Sequence, residues 1–373
     1  MTAPFVLVDH PVPPPHPVTT VSLADLAWTA HQSMRQYRPT PRYPLDHLAR
    51  ELGVASLILK DESPRFGLNA FKGLGASFAM RHWLATREVE PDAVFTTATD
   101  GNHGRAVAWM SRILAYRSVI FMPAHSVPAR IDAISNEGAK VTLVKEGYDA
   151  AVRLALQAAS EKGWIAIQDT ATPEYTEVPA WIAAGYWTTA RELEDDVLPA
   201  GRPQVDVVLL HAGVGTWPAA MTEYFWHRYG EHRPRIVVVE PEEAACVLDS
   251  VRAGTVRRAR GSLRTIMAGL NCALPSTTAF DTLRGSVDAL IEIADTWTER
   301  AMRRLADCDP PIVAGESGAA SVAGLMAIMR DPALAPVRDH VGLHAGCRVL
   351  AWCTEGATDP DGWERVVGRP VPG

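Results

Sequence analysis

The sequence predicts an α/β protein with two open, twisted parallel-sheet lobes. Three observations predict it. From about residue 90, short strand-like runs alternate with helix-length segments, the pattern that builds a parallel sheet with helices on its faces. The runs 205–210, 236–239 and 289–293 are short and strongly apolar, as strands buried on both faces are. Two glycine-bearing turns, Asp100-Gly101-Asn102-His103 and Gly213-Val214-Gly215, follow such runs, where open α/β sheets bind ligands.

Taken in order, residues 11–17 are proline-rich and read as irregular or extended. Residues 57–60 read as a strand, and 61–68 as a loop punctuated by Pro64 and Gly67. A helix is expected from Ala70 or Phe71, because Phe71, Leu74 and Phe78 form one apolar stripe. Strands are then expected at 93–97, 118–122, 141–144 and 164–168, with helices at 102–115, 128–137 and 148–161 between them. Pro128 suits a first helical position. Residues 178–194 read as one long helix. After a Pro/Gly-containing segment at 198–203, a second alternation follows, and Thr296-Trp297-Thr298-Glu299 reads as a capping box. Residues 348–352 are the final strand. The expected domains are 1–89 with 200–373, a large discontinuous lobe, and 90–199, a small α/β lobe.

Composition narrows the class. The chain has 373 residues, 47% hydrophobic and 21% charged, with net charge −7, ordinary for a globular protein. No basic tract suggests nucleic acid. No apolar stretch is long enough to span a membrane, and the first residues lack the charged and apolar regions of a signal peptide. A cytoplasmic location is expected. The five cysteines are scattered, and neither C-x-x-C nor H-E-x-x-H occurs, so no metal site is expected.

Five motifs carry chemistry. Lys72 lies in an apolar stretch, where desolvation lowers an amine's pKa and makes it nucleophilic. As a solvated helix lysine it would do nothing. Asp100-Gly101-Asn102-His103-Gly104 lets backbone approach an anion or a flat ring, and Asn102 can hydrogen-bond a ring's phenolic oxygen. Its plainer role is a helix cap. Gly213, Val214, Gly215 and Thr216 open a helix and make a phosphate cradle. The rival dinucleotide loop is incomplete, since Pro218 stands where its third glycine belongs. Asp169 follows a strand of the same lobe as Asp100, and a β-elimination needs a base at Cα and an acid at the leaving group. A second substrate ammonium would pair with such carboxylates. Glu316, in Gly315-Glu316-Ser317-Gly318, and Thr354, in Cys353-Thr354-Glu355-Gly356, lie at element boundaries. Thr354 can bond a pyridine nitrogen, and turn chemistry is the alternative for both.

Together these motifs look like a pyridoxal phosphate (PLP) site of the tryptophan synthase β-like class. The segments 66–73, 97–105, 168–171, 212–215, 266–272, 315–318 and 354–360 resemble those of the PLP-dependent diaminopropionate ammonia-lyases, relatives of the threonine and serine dehydratases. The resemblance implies PLP fold type II, with the cofactor between the lobes, and a homodimer. It implies Lys72 as the Schiff-base lysine and Asp100 and Asp169 as acid/base groups, one per substrate enantiomer. Phe71, Asn102, Gly213, Val214, Gly215, Thr216, Glu316 and Thr354 would hold the cofactor. The implied reaction converts 2,3-diaminopropionate to pyruvate and ammonia. The alternatives are another PLP-dependent β-elimination or β-replacement and, more distantly, a non-catalytic protein binding an amino acid or nucleotide. Cys246 and Cys272 match a cysteine pair of some relatives, with no bond expected in a reducing compartment. The chain departs from the resemblance at Thr172-Pro173, where an aromatic and an acid are usual, and at Trp217-Pro218, where small residues are usual. Both are expected near the substrate or cofactor.

Overall fold

A computed structural model describes residues 3–372. The strands are β1 (Phe5–Leu7), β2 (Arg42–Pro44), β3 (Ser56–Asp61), β4 (Val94–Ala98), β5 (Arg117–Pro123), β6 (Lys140–Val144), β7 (Ile165–Ala166), β8 (Val207–His211), β9 (Arg235–Pro241), β10 (Ala289–Ile293) and β11 (Arg348–Cys353). They form a seven-stranded sheet, β1-β10-β9-β8-β11-β3-β2, and a four-stranded sheet, β6-β5-β4-β7. The second sheet is parallel throughout. In the first, β10 to β3 run parallel, while β1 and β2 close the edges antiparallel.

The central strands β8 and β9 bury every residue except Arg235, consistent with their unbroken apolar character. One apolar cluster joins Leu74 and Phe78 to Phe95, Ile182, Phe225 and Trp352 and so spans both sheets. A second lies under the other face of the large sheet, around Leu209, Val239 and Leu325.

Three expectations are corrected. The expected helix at 178–194 is two helices, Glu177–Tyr186 and Thr188–Arg191. Here Gly185 presses on the helix Gly73–Thr86, and a Cβ at Gly185 would come within 2.6 Å of the Leu74 carbonyl. That helix itself starts at Gly73, because Ala70 is bridged to Glu355 in the segment after β11. The helix Asp295–Ala306 is capped by Ala294 rather than Thr296. Asp295 is turned instead to the 265–266 loop, where it accepts from Thr265 Oγ1 at 2.5 Å and Ile266 N at 2.9 Å.

Candidate active site

The carboxyl ends of β4, β7, β8 and β11 and the start of the helix Gly73–Thr86 surround a cleft. Phe71, Lys72, Asp100, Asn102, Asp169, Gly213, Val214, Gly215, Thr216 and Thr354 all line it. Residues more than 280 positions apart in sequence meet because the segment 69–71 is stitched to 354–357. Phe71 N donates to Thr354 O at 3.0 Å, Gly356 N to Asn69 O at 3.0 Å, and Asn69 Nδ2 to Ala357 O at 3.0 Å. Asn69 has φ 60°, a left-handed conformation that asparagine tolerates better than most residues. This turn delivers Lys72 to the cleft.

Lys72 Nζ lies 2.7 Å from Asp169 Oδ2, and 21% of the lysine side chain stays accessible. Burial alone would depress the amine, as the sequence suggests, but the Asp169 carboxylate outweighs it and raises the lysine above its ordinary value. Burial pushes Asp169 up, but Lys72 outweighs it and holds the carboxyl at about 2. His103 Nε2 donates to Ile167 O at 2.7 Å, so its Nδ1 carries a lone pair. That atom is buried without a hydrogen-bond partner among the described residues and faces Asp169 Oδ2 at 3.9 Å. The ring of Tyr186 lies 5.7 Å from Lys72 Nζ and that of Phe71 at 5.4 Å.

The loop after β8 is an anion cradle. Gly215, φ 92°, caps the helix Thr216–Tyr229. The amides of Gly213, Val214 and Gly215 donate to no described residue, and a helix start leaves further amides free. Gly213 is held close by its surroundings, since a Cβ there would meet Cys272 Sγ and the Gly269 carbonyl at 3.0 Å each. The Thr216 hydroxyl is committed to Asp169 O at 2.7 Å. It ties the cradle to the acid, and its amide is what remains for an anion.

Asn102 Nδ2 donates to Glu355 Oε2 across the cleft. Glu355 Oε1 accepts from Ser317 N at 3.1 Å. Glu316, expected to contact the cofactor, is not on the cleft wall; Ser317 and Glu355 are. Gly315 and Gly318 pack against the backbone of Gly356 and Glu355, where a Cβ would come within 2.2 and 2.1 Å of a carbonyl oxygen. That close packing turns Ser317 inward and sends Glu316 toward Gly362, where burial raises its carboxyl to about 7.

Sequence reasoning gave no role to Glu355, His211, Tyr148 or Arg130, which also line the cleft. Each needed a tertiary partner to be recognised. Trp217 and Pro218 lie on the wall as expected, with the indole 5.6 Å from Phe71 and 5.0 Å from His211. Thr172 and Pro173 do not line it. They form a turn, with Thr172 paired to Tyr175 and Pro173 exposed.

A lysine amine, an anion cradle of free amides, and Asn102 and Thr354 on the walls of the same cleft fit PLP. Fold and site define a PLP-dependent enzyme of fold type II. Residues 34–346 match the family of pyridoxal-phosphate-dependent enzymes. The chain is 38% identical to the diaminopropionate ammonia-lyase of Salmonella typhimurium over 362 residues, 90% of each chain. It is 37% identical to that of Escherichia coli K12 over 369 residues, 94% of this chain and 92% of the other. The crystal structure of the Escherichia coli enzyme with an aminoacrylate-PLP azomethine reaction intermediate superposes with a TM-score of 0.88 at 36% identity, covering 98% of this chain and 97% of that one. The chain belongs to the diaminopropionate ammonia-lyase family of PLP-dependent enzymes.

Proposed function

We propose that this cleft holds PLP through Lys72 and converts 2,3-diaminopropionate and water to pyruvate and two molecules of ammonia. One observation carries the reading: the half-buried Lys72 Nζ is paired at 2.7 Å with Asp169 in a cleft that a second carboxylate, Asp100, also borders. Relatives of that name at 37–38% identity support the substrate. In this reading the amides of Gly213 to Thr216 hold the phosphate, Asn102 the phenolic oxygen, Phe71 the ring face and Thr354 the ring nitrogen.

The bound cofactor supplies an electron sink for the charge left at Cα when its proton is removed. The chain's own groups move the protons. Whenever Lys72 Nζ is not an ammonium, Asp169 loses the partner that holds it at about 2, and burial pushes the carboxylate up toward the range of an effective base. Asp169 then takes the Cα proton of one enantiomer, and Asp100, on a different loop, that of the other. His103 Nδ1, at 3.9 Å, is the group to which Asp169 passes a proton. The substrate's second amine is an ammonium that both carboxylates attract before it leaves.

The lobes are taken as 1–89 with 200–373, supported by the strands of the large sheet, and 90–199, supported by those of the small one. A cytoplasmic location is part of the same proposal; the five cysteines, Cys246 and Cys272 included, are unbonded. Family resemblance adds a homodimer, which sedimentation would test. The Trp217 side chain on the wall favours, as a second reading, elimination or replacement on a modified amino acid. The test is the stoichiometry of ammonia to pyruvate in wild type and Lys72→Ala. The proposal expects two to one in wild type, and loss of both product and the yellow cofactor band in the variant. Turnover by Lys72→Ala would contradict it.

A further inference from the structure

Behind Thr354 the cleft wall holds a buried line of three side chains. His211 ends β8, Thr354 follows the neighbouring parallel strand β11, and Ser321 lies in the first turn of the helix Ala320–Arg330. His211 Nε2 lies 2.7 Å from Thr354 Oγ1, and Nδ1 2.7 Å from Ser321 Oγ. None of the three is more than 3% exposed. The Trp217 ring covers the imidazole at 5.0 Å.

Burial, with Lys72 adding in the same direction, lowers the imidazole to about 3. The ring is therefore neutral at working pH and carries one N–H. One of its two contacts has the imidazole as donor, and the other has it as acceptor. Ser321 Oγ has no other hydrogen-bond partner among the described residues. With the proton on Nδ1, the Ser321 hydroxyl proton would be buried with no acceptor, a costly arrangement in a dry interior. With the proton on Nε2, Ser321 donates to Nδ1, Nε2 donates to Thr354 Oγ1, and the Thr354 hydroxyl proton is free to point into the cleft. Only the second arrangement leaves no hydroxyl proton stranded in the dry interior.

We infer that Ser321 and His211 are positioning residues that fix the Thr354 hydroxyl as a hydrogen-bond donor to the cleft, so that a ring nitrogen placed there accepts a hydrogen bond and stays unprotonated. The inference rests on the reading that Thr354 faces the pyridine nitrogen of the cofactor. An unprotonated ring nitrogen is a weaker electron sink, which suits loss of a good leaving group from Cβ over prolonged charge at Cα. The sequence offers His211 only as the residue before a glycine turn. Its role comes from a serine 110 residues away.

The test is nitrogen NMR on the holoenzyme, with ¹⁵N-histidine in the protein and ¹⁵N in the pyridine ring of the cofactor. His211→Phe assigns the His211 signal among the 12 histidines. Wild type is expected to show the Nε2–H tautomer and an unprotonated pyridine nitrogen. Ser321→Ala and His211→Phe are expected to move the pyridine signal upfield, toward the protonated form. Ser321→Ala, a small change, serves if His211→Phe does not fold. An Nδ1–H tautomer or a protonated pyridine nitrogen in wild type would overturn the inference. So would a pyridine signal that moves in Thr354→Ala but not in either relay variant; the placement of Thr354 would then stand. A signal unmoved by Thr354→Ala would overturn that placement, and the relay with it.

Discussion

Lys72 Nζ and Asp169 Oδ2, 97 residues apart in sequence, form a 2.7 Å ion pair inside the cleft. The pair couples the charge of the amine to the basicity of the acid. Asp169→Asn leaves burial as the dominant influence on Lys72, so its amine is expected to titrate lower in the apo-protein. Turnover is expected to fall roughly 10²- to 10⁴-fold, the usual worth of a general base. The loss should be uneven between D- and L-2,3-diaminopropionate, and Asp100→Asn should show the opposite bias. Comparison of kcat/KM for both enantiomers in both variants checks this.

The cradle makes a prediction about affinity. Gly215 sits at φ 92°, and a Cβ there would meet that of Ala279 at 3.1 Å. A non-glycine residue in left-handed backbone costs about 1–2 kcal/mol. Gly215→Ala is expected to loosen PLP by about tenfold, in proportion to that strain. Titration of apo-protein with the cofactor, followed by absorbance, checks it.

The middle of the cradle helix carries a pH dependence. Glu223 is buried and accepts from Val18 N, from Thr19 N at 3.2 Å and from Thr282 Oγ1 at 3.1 Å. Burial raises its carboxyl from 4.5 to about 8, against those hydrogen bonds. A carboxyl raised in the folded state binds its proton more tightly there than in the unfolded chain. Its stabilisation is therefore complete below pH 4.5 and lost as pH rises through about 8. Glu240, also raised to about 8 by burial, has the same sign. Glu223→Gln is expected to flatten the decline in stability across this window, by about 1–3 kcal/mol at its upper end. Urea unfolding at a series of pH values measures it.

Trp217 is 4% exposed and packs against Phe71, His211 and Trp352. Trp217→Ala is expected to cost about 3–5 kcal/mol of stability and to widen the cleft beside Phe71. Thermal unfolding reads the first effect, and inhibition by bulkier amino acids reads the second.

These predictions draw unequally on what the sequence displays. Strands such as β8 and β9 are legible because burial on both faces leaves an apolar run. Asn102, Gly213, Thr216 and Thr354 are legible because glycine and polar residues gather at strand ends. The three-residue edge strands β1 and β2 are too short for any period to emerge. The sequence does not separate Glu316 from Ser317 and Glu355, because only the packing of Gly315 and Gly318 on the β11 loop decides which side chain turns inward. The rise of the Lys72 pKa needs Asp169 at 2.7 Å, where the sequence shows only an apolar neighbourhood.

The most direct measurement is pyruvate release by the PLP-loaded protein from D- and L-2,3-diaminopropionate, with serine and threonine alongside. The account predicts turnover of 2,3-diaminopropionate well above that of either hydroxy amino acid. Cofactor binding with no pyruvate from any of the four would keep the PLP site and contradict the ammonia-lyase.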